Sequence, residues 1–207
     1  MNPLLIKNIS LIFSMKREIK FVLYTFLGIL LLPVVAVLVI INTGIPGVSD
    51  KLASVNATTH KIEIHDPTGK VIATIDAATV WPVSGVVTLE FGESDLPYQP
   101  FHTGIDIANA QGKIGDAITP FMKGTVIDVE HLSWGYGNYV VIDHGNNVTS
   151  LYGHMSQTKA QNGQSVQPGD TIGLEGETGW ATGPHVHFQI NVFGVPVNPR
   201  TFVTGNP

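Results

Sequence analysis

The sequence predicts an all-β domain, built mainly from antiparallel strands and preceded by a single transmembrane helix. The 207 residues include 22 glycines and 13 prolines, which favour frequent turns over long helices. From Trp81 onward, short apolar runs recur between these turns, a pattern typical of strands. Residues 21–41 contain no charged side chain, and at about 1.5 Å per residue they can cross a bilayer as a helix.

The uncharged stretch is predicted to be an uncleaved membrane anchor. A cleaved signal peptide is the alternative, but its apolar core is usually shorter, and no clear small-residue cleavage site follows this one. Basic residues before a membrane helix keep that side in the cytoplasm, and four of them occur here: Lys7, Lys16, Arg17 and Lys20. We therefore predict that residues 1–20 are cytoplasmic and that the C-terminal domain is periplasmic or extracellular.

Composition argues against several classes of function. From Asn42 onward the chain has 7 basic and 15 acidic residues, whereas nucleic-acid binding requires basic patches. The absence of cysteine excludes disulfides, thiolate nucleophiles and cysteine-ligated zinc. Any metal ion must therefore be held by His, Asp or Glu.

Turn residues divide the chain after the anchor. Residues 42–59 include Gly44, Pro46 and Gly47 and are predicted to form a linker. Residues 60–77 are predicted to form a β-hairpin, because strand-like residues flank the turn sequence Asp66-Pro67-Thr68-Gly69. Residues 78–207 are predicted to form the main domain, and no helix is predicted anywhere after the anchor. Its strand candidates are Val86–Phe91, Gly124–Glu130, Asn138–His144, Asn147–His154, Asp170–Gly176 and His185–Val192.

Two histidines in the last strand candidate indicate a functional site. Residues two apart in a strand project to the same face, so His185 and His187 are expected to lie side by side. Val186 and Phe188 would then face the opposite layer. Two adjacent imidazoles favour a metal or acid–base site, although a pair of exposed strand histidines remains the alternative.

Three further residues extend this candidate site. His102 and Asp106 add a nitrogen and an oxygen donor, and with one histidine of the pair they make a set that suits Zn²⁺. The alternatives are a surface loop position for His102 and a turn or cap for Asp106. His154 follows the apolar Leu151 and Tyr152, so it is either a structural histidine or an acid–base group.

The order of these motifs resembles the lysostaphin-type (LytM) family of zinc metallopeptidases. The resemblance runs from about Pro82 to Phe202 and is carried by three motifs: His102-Thr-Gly-Ile-Asp106, Tyr152-Gly-His154 and Gly183-Pro-His185-Val-His187-Phe. It implies a compact antiparallel β-domain of the duplicated-hybrid-motif type, with a groove over the zinc ion. It also implies that His102, Asp106 and His187 bind Zn²⁺ and that His154 and His185 are the catalytic histidines.

The resemblance implies a peptidoglycan hydrolase, a zinc metalloendopeptidase acting on peptide cross-links or stem peptides. With the anchor, this predicts an enzyme held to the cytoplasmic membrane by one helix. The alternative is a non-enzymatic, membrane-tethered regulator or binder of cell-wall hydrolases, but such relatives usually lack metal or catalytic residues, and all five are present here. Glu93 stands where the family often has a basic residue, which bears on substrate preference.

Overall fold

The computed structural model describes residues 24, 45–76, 78–94 and 101–207. Within this part of the chain, no helix is both long and apolar enough to cross a membrane. The predicted transmembrane helix, residues 21–41, lies outside the described residues apart from Tyr24, so it stays a prediction. The predicted cytoplasmic segment, residues 1–20, also lies outside them.

A short helix occupies part of the predicted linker, and the expectation of no helix after the anchor is wrong. Helix α1 spans Ile45–Leu52 and is followed directly by strand β1, Ala53–Val55. Pro46 lies in the first turn of this helix. Proline is tolerated there, because the N–H groups of a first turn have no partner within the helix. Because Leu52 is buried in the core, packing stabilises a helix that is too short to be stable alone.

The predicted hairpin belongs to a three-stranded antiparallel sheet. Strands β2, Ile62–His65, and β3, Val71–Ile75, pair with each other, and β1 pairs with the other edge of β2. The Asp66 side chain accepts a hydrogen bond of 2.8 Å from the Thr68 N–H, which closes the turn. Apolar side chains of this sheet are buried in the common core, namely Ile62, Ile64 and Ile75.

The main domain is an antiparallel β-structure, which confirms the all-β part of the predicted fold class. Its large sheet follows the order β11-β7-β8-β9-β13-β5-β4, with β14 also pairing with β13. These strands are β4 Val86–Leu89, β5 Ile105–Ala108, β7 Gly124–His131, β8 Asn138–Asp143, β9 Val148–Gly153, β11 Ser165–Val166, β13 Val186–Val192 and β14 Val195–Val197. A smaller sheet joins β6 Ala117–Ile118, β10 Gln157–Thr158 and β12 Gly173–Leu174, and a 3₁₀ turn spans Pro199–Thr201.

Strand β13 lies between β9 and β5 and separates two chemical environments. Val186, Phe188 and Ile190 are fully buried on one face, and the Phe188 ring stacks on Tyr152 at a centroid distance of 5.5 Å. The intervening residues, including His187 and Gln189, project to the other face, as the period of two predicts. The apolar core therefore fixes the strand that carries the site.

A buried polar network under the sheet makes stability depend on pH. The His144 Nδ1–H donates to the Lys123 carbonyl at 2.8 Å, and Nε2 contacts the Ser150 hydroxyl at 2.7 Å. Burial lowers the pKa of His144 below its usual value of 6.5. The unfolded chain thus binds more protons than the folded chain as the pH falls below about 6.5, so the folded state loses stability there.

We expect the unfolding free energy of the metal-free protein to rise from pH 5 to pH 7, and to rise less in the variant His144→Gln. Denaturant titrations of both proteins with a chelator present measure the difference, because other titrating groups contribute equally to both. At pH 7 the variant should be about 1–2 kcal/mol less stable through altered hydrogen bonds. An identical pH slope for the two proteins would contradict this account.

Candidate metal centre

The register of three strands brings the predicted site residues together. His187 on β13 lies opposite Asp106 on β5 and opposite Gly153 on β9. His102 lies just before β5, and His154 lies just after β9 with a φ of +61°, which is uncommon for a residue other than glycine. Residues from distant parts of the sequence thus meet at one end of the sheet.

Three of these side chains offer ligand atoms to one point. His102 Nε2 lies 3.0 Å from His187 Nδ1 and 3.1 Å from Asp106 Oδ1, and His187 Nδ1 lies 2.9 Å from the same oxygen. Atoms bound to one tetrahedral zinc ion at about 2.0–2.2 Å lie about 3.3–3.6 Å apart. Small side-chain rotations bridge that difference, so the three residues could hold a metal ion.

The hydrogen bonds of the two imidazoles determine which nitrogens are free. His102 donates its Nδ1–H to the Glu90 carbonyl at 3.2 Å, and His187 donates its Nε2–H to Gln189 Oε1 at 3.3 Å. His102 Nε2 and His187 Nδ1 therefore carry lone pairs, and both point toward a carboxylate oxygen. Two imidazole nitrogens and one carboxylate oxygen, all hydrogen-bond acceptors, thus converge on one point. Both histidines are only 3 % exposed, so water cannot solvate these acceptors and a positive charge between them is required. A divalent cation fits this need.

The ionisation of Asp106 agrees with a cation site. Burial raises the pKa of its carboxyl, but when His102 and His187 carry protons in place of a metal ion, their hydrogen bonds and positive charge outweigh burial and hold the pKa well below its usual value. Asp106 is therefore a carboxylate at neutral pH. Two imidazole nitrogens and one carboxylate oxygen form a ligand set that suits Zn²⁺ better than Mg²⁺ or Ca²⁺.

The other two predicted residues, His154 and His185, form a pair beside this group. Their ring centroids lie 4.6 Å apart. His154 donates its Nδ1–H to the Thr178 carbonyl at 2.7 Å, and His185 donates its own to the Gly183 carbonyl at 2.8 Å. Both Nε2 atoms are consequently free to accept a proton. His185 Nε2 lies 3.6 Å from Asp106 Oδ2, which places the pair next to the three candidate metal ligands.

His154 is neutral over most of the pH range. Burial, with a smaller contribution from the neighbouring His185, lowers its pKa from the usual 6.5 to about 4.

Gln189 is a site residue that the sequence analysis missed. Its side-chain oxygen accepts hydrogen bonds from the Thr103 hydroxyl at 2.7 Å and the Tyr136 hydroxyl at 3.0 Å, in addition to His187. Its amide group donates to Asn191 Oδ1 at 2.7 Å, which fixes the orientation of the amide. The signal was present, because Gln189 lies two residues after His187 on the same strand face.

A cleft of about 480 Å³ opens over these residues. Its outer walls are largely apolar and aromatic, with Leu89, Leu132, Trp134, Tyr139 and Trp180 among the lining residues. Its floor contains His102, Asp106, His154, His185 and His187. A concave site with apolar walls and a few convergent polar groups is the usual form of a ligand-binding or active site.

Comparison with known proteins identifies the family of this fold. Residues 100–199 match the model of "Peptidase family M23". The chain is 35 % identical to the catalytic domain of a point mutant of the prophage-encoded M23 protein EnpA from Enterococcus faecalis. That structural match covers 61 % of this chain and 98 % of the EnpA chain, with a TM-score of 0.54.

Two curated relatives differ in their described roles. The chain is 41 % identical over 97 residues to the peptidoglycan DD-endopeptidase ShyA of Vibrio cholerae, covering 47 % of this chain and 22 % of ShyA. It is 32 % identical over 123 residues to the murein hydrolase activator NlpD of Salmonella typhimurium, covering 59 % of this chain and 30 % of NlpD. The chain thus spans less than a third of either relative. Its matched domain shows that this chain belongs to peptidase family M23, the lysostaphin-type family that its motifs predict.

Proposed function

We propose that this protein is a membrane-anchored zinc endopeptidase that hydrolyses peptide cross-links or stem peptides of bacterial peptidoglycan. The observation that carries the proposal is the convergence of three metal-ligand atoms beside two imidazoles with free Nε2 atoms. The similarity to ShyA supports peptidoglycan as the substrate. His102, Asp106 and His187 would hold the zinc ion.

When bound, zinc supplies Lewis acidity, which polarises the scissile carbonyl and makes water a better nucleophile at neutral pH. The His154 and His185 pair provides the proton transfers. One free Nε2 accepts the proton of the attacking water, and the pair then delivers a proton to the leaving amine. The carbonyl groups of Thr178 and Gly183 hold both rings in the tautomer that this transfer requires.

The second candidate function is a non-enzymatic activator of cell-wall hydrolases, which the similarity to NlpD favours. The experiment that separates the two treats purified peptidoglycans, with direct and with bridged cross-links, with the full-length zinc-loaded protein in detergent. Mass spectrometry of the soluble products should show cleaved peptides with newly formed amino termini. Intact peptides in every peptidoglycan would support the activator.

The membrane anchor and its orientation are a separate part of the proposal. They rest on the uncharged residues 21–41 and on the four basic residues before them. Because the chain has no cysteine, single cysteines can report topology without a background signal. In intact cells, or spheroplasts if an outer membrane is present, an impermeant maleimide should label the variant Asn206→Cys and spare Ser10→Cys. The reverse labelling would contradict the proposed orientation.

Gly104 is required for the space that His187 occupies. A Cβ atom added to Gly104 would lie 2.5 Å from the Phe188 carbonyl oxygen and 2.9 Å from His187 Nε2. Both neighbours are fixed, one by the sheet and the other by Gln189. We expect Gly104→Ala to displace the imidazole and to weaken zinc binding about 10- to 100-fold.

Chelator competition measures this loss. Gly47→Ala is the matched control, because an added Cβ there meets no atom within 4 Å. Equal zinc affinity in the two variants would mean that His187 does not depend on the space at Gly104.

Gln189 is expected to set the tautomer of His187. The variant Gln189→Leu removes the acceptor of the Nε2–H, so Nδ1 is no longer held as the free nitrogen. We expect zinc affinity to fall about 10- to 100-fold, as is typical when a partner of a metal-binding histidine is lost. Gln189→Glu keeps an accepting oxygen and should retain most of the affinity. Equal losses in both variants would indicate a packing role instead.

A further inference from the structure

Two tryptophans at the rim of the cleft are exposed to an unusual degree. Trp134 is 59 % exposed and Trp180 is 65 % exposed, and their ring centroids lie 6.3 Å apart with the planes tilted by 54°. We call this pair the indole shelf. By contrast, Trp81 donates its Nε1–H to the Thr204 carbonyl and packs against the Arg200 guanidinium. Large apolar groups left in water beside a cleft usually mark a binding surface.

The backbone holds the indole shelf in place. The Trp180 N–H donates to the Gly135 carbonyl at 2.9 Å, which joins the loop before β8 to the loop before β13. A Cβ atom on Gly179 would overlap the Gly135 carbonyl oxygen and the Gly137 backbone, so the loops are in direct backbone contact. The Asn138 N–H also donates to Thr178 Oγ1 at 2.9 Å. Little ordering entropy is therefore lost when a ligand binds here.

The surroundings of the shelf favour an uncharged ligand. Among the described residues that line the cleft, Asp106 is the one carboxylate, and neither lysine nor arginine lines it. Asp106 belongs to the candidate metal group, which we define as His102, Asp106 and His187. Wall peptides carry free carboxylates and amines, which would be recognised by opposite charges. A pyranose ring instead offers C–H groups on its face, which pack on an indole, and polar groups at its edge.

We propose that the indole shelf binds a sugar ring of the glycan strand while the metal group engages the attached peptide. This inference rests on the proposed function for its substrate, but its binding test does not require catalysis. The shelf would then make the protein prefer glycan-linked peptides over free peptides. The preference would come from Trp134 and Trp180 together, since each leaves most of its ring exposed.

The first test measures binding of uncharged N-acetylglucosamine oligomers to the full-length protein by saturation-transfer NMR. The wild-type protein should bind them, and the double variant Trp134→Ala/Trp180→Ala should bind them at least about tenfold more weakly. Phe193→Ala is the matched control, because Phe193 is a 40 % exposed aromatic residue outside the cleft lining. Absence of binding by the wild-type protein, or equal binding by the double variant, would overturn the proposal whether or not the protein hydrolyses peptides.

The second test compares hydrolysis of intact peptidoglycan with hydrolysis of the same cross-linked peptides after their sugars have been removed. The double variant should be about tenfold slower on the intact polymer, through a higher KM, and this loss should be several-fold larger than its loss on the sugar-free peptides. Equal losses on both substrates would assign the shelf to the peptide and refute a sugar site. Failure of the wild-type protein to cut either substrate would refute the proposed function alone, because oligomer binding still decides the inference about the shelf.

Discussion

Replacing His187 with alanine is expected to abolish both zinc binding and hydrolysis. The variant loses one of three ligand atoms and leaves His102 and Asp106, which cannot hold the ion tightly alone. Zinc content should fall from about one ion per chain to near zero, and the rate should fall by about 10³-fold or more. Asp106→Ala should behave in the same way. Metal analysis after gel filtration, together with peptidoglycan digestion, measures both effects.

His60→Ala is the control for this prediction, because His60 is an exposed histidine far along the chain from the metal group. It should keep its zinc and its activity. If His187→Ala retained stoichiometric zinc and cut wall peptides, the assignment of the ligands would be wrong. Circular dichroism separates loss of metal from loss of fold.

Replacing His154 or His185 with alanine is expected to remove activity while zinc remains bound. Neither imidazole is among the three candidate ligands. Each has a free Nε2 atom close to those ligands. Loss of a general acid–base group typically costs about 10²- to 10⁴-fold in rate. Since the two rings share one proton in our mechanism, the double variant should lose little more than the worse single variant.

Zinc content and initial rates of the three variants test this second prediction. A loss of zinc in His154→Ala equal to that in His187→Ala would make His154 a ligand. Multiplicative losses in the double variant would instead assign independent roles to the two histidines.

Most of the main sheet could be predicted from local sequence patterns. Strands β7, β8, β9 and β13 coincide with predicted runs to within one residue or so, because each is a short segment rich in apolar residues between turns. The run Asp170–Gly176 is mostly irregular, and only Gly173–Leu174 pairs as a strand. Strand β5 was not predicted, since its four residues are ordered by pairing with β13 and β4.

Helix α1 shows the limit of composition as a guide. The sequence suggests a linker here because it contains Gly44, Pro46 and Gly47. Residues 45–52 are nevertheless helical, because Leu52 packs in the core. Helix propensity is a weak guide where a short segment is stabilised by tertiary packing. The predicted anchor lies outside the described residues apart from Tyr24, so it stays a prediction from hydropathy and flanking charge.

The five predicted site residues could be named because their motifs are compact and occur in a fixed order. The structure brings all five together, although their roles remain proposals. The residues that orient them could not be named, because partners such as Glu90, Thr178 and Gly183 act through backbone carbonyls. Every residue has a backbone carbonyl, so the sequence does not indicate which carbonyls accept these hydrogen bonds. Gln189, in contrast, was visible through the strand period, but its acceptor role depends on the register with Thr103 and Tyr136.

Anomalous diffraction at the zinc absorption edge, from crystals of the purified protein grown with one equivalent of zinc, tests the central claim most directly. We predict a single strong peak bonded to His102 Nε2, Asp106 Oδ1 and His187 Nδ1, with His154 and His185 outside bonding distance. A peak at other residues, or none at this group while zinc is bound elsewhere in the chain, would contradict it.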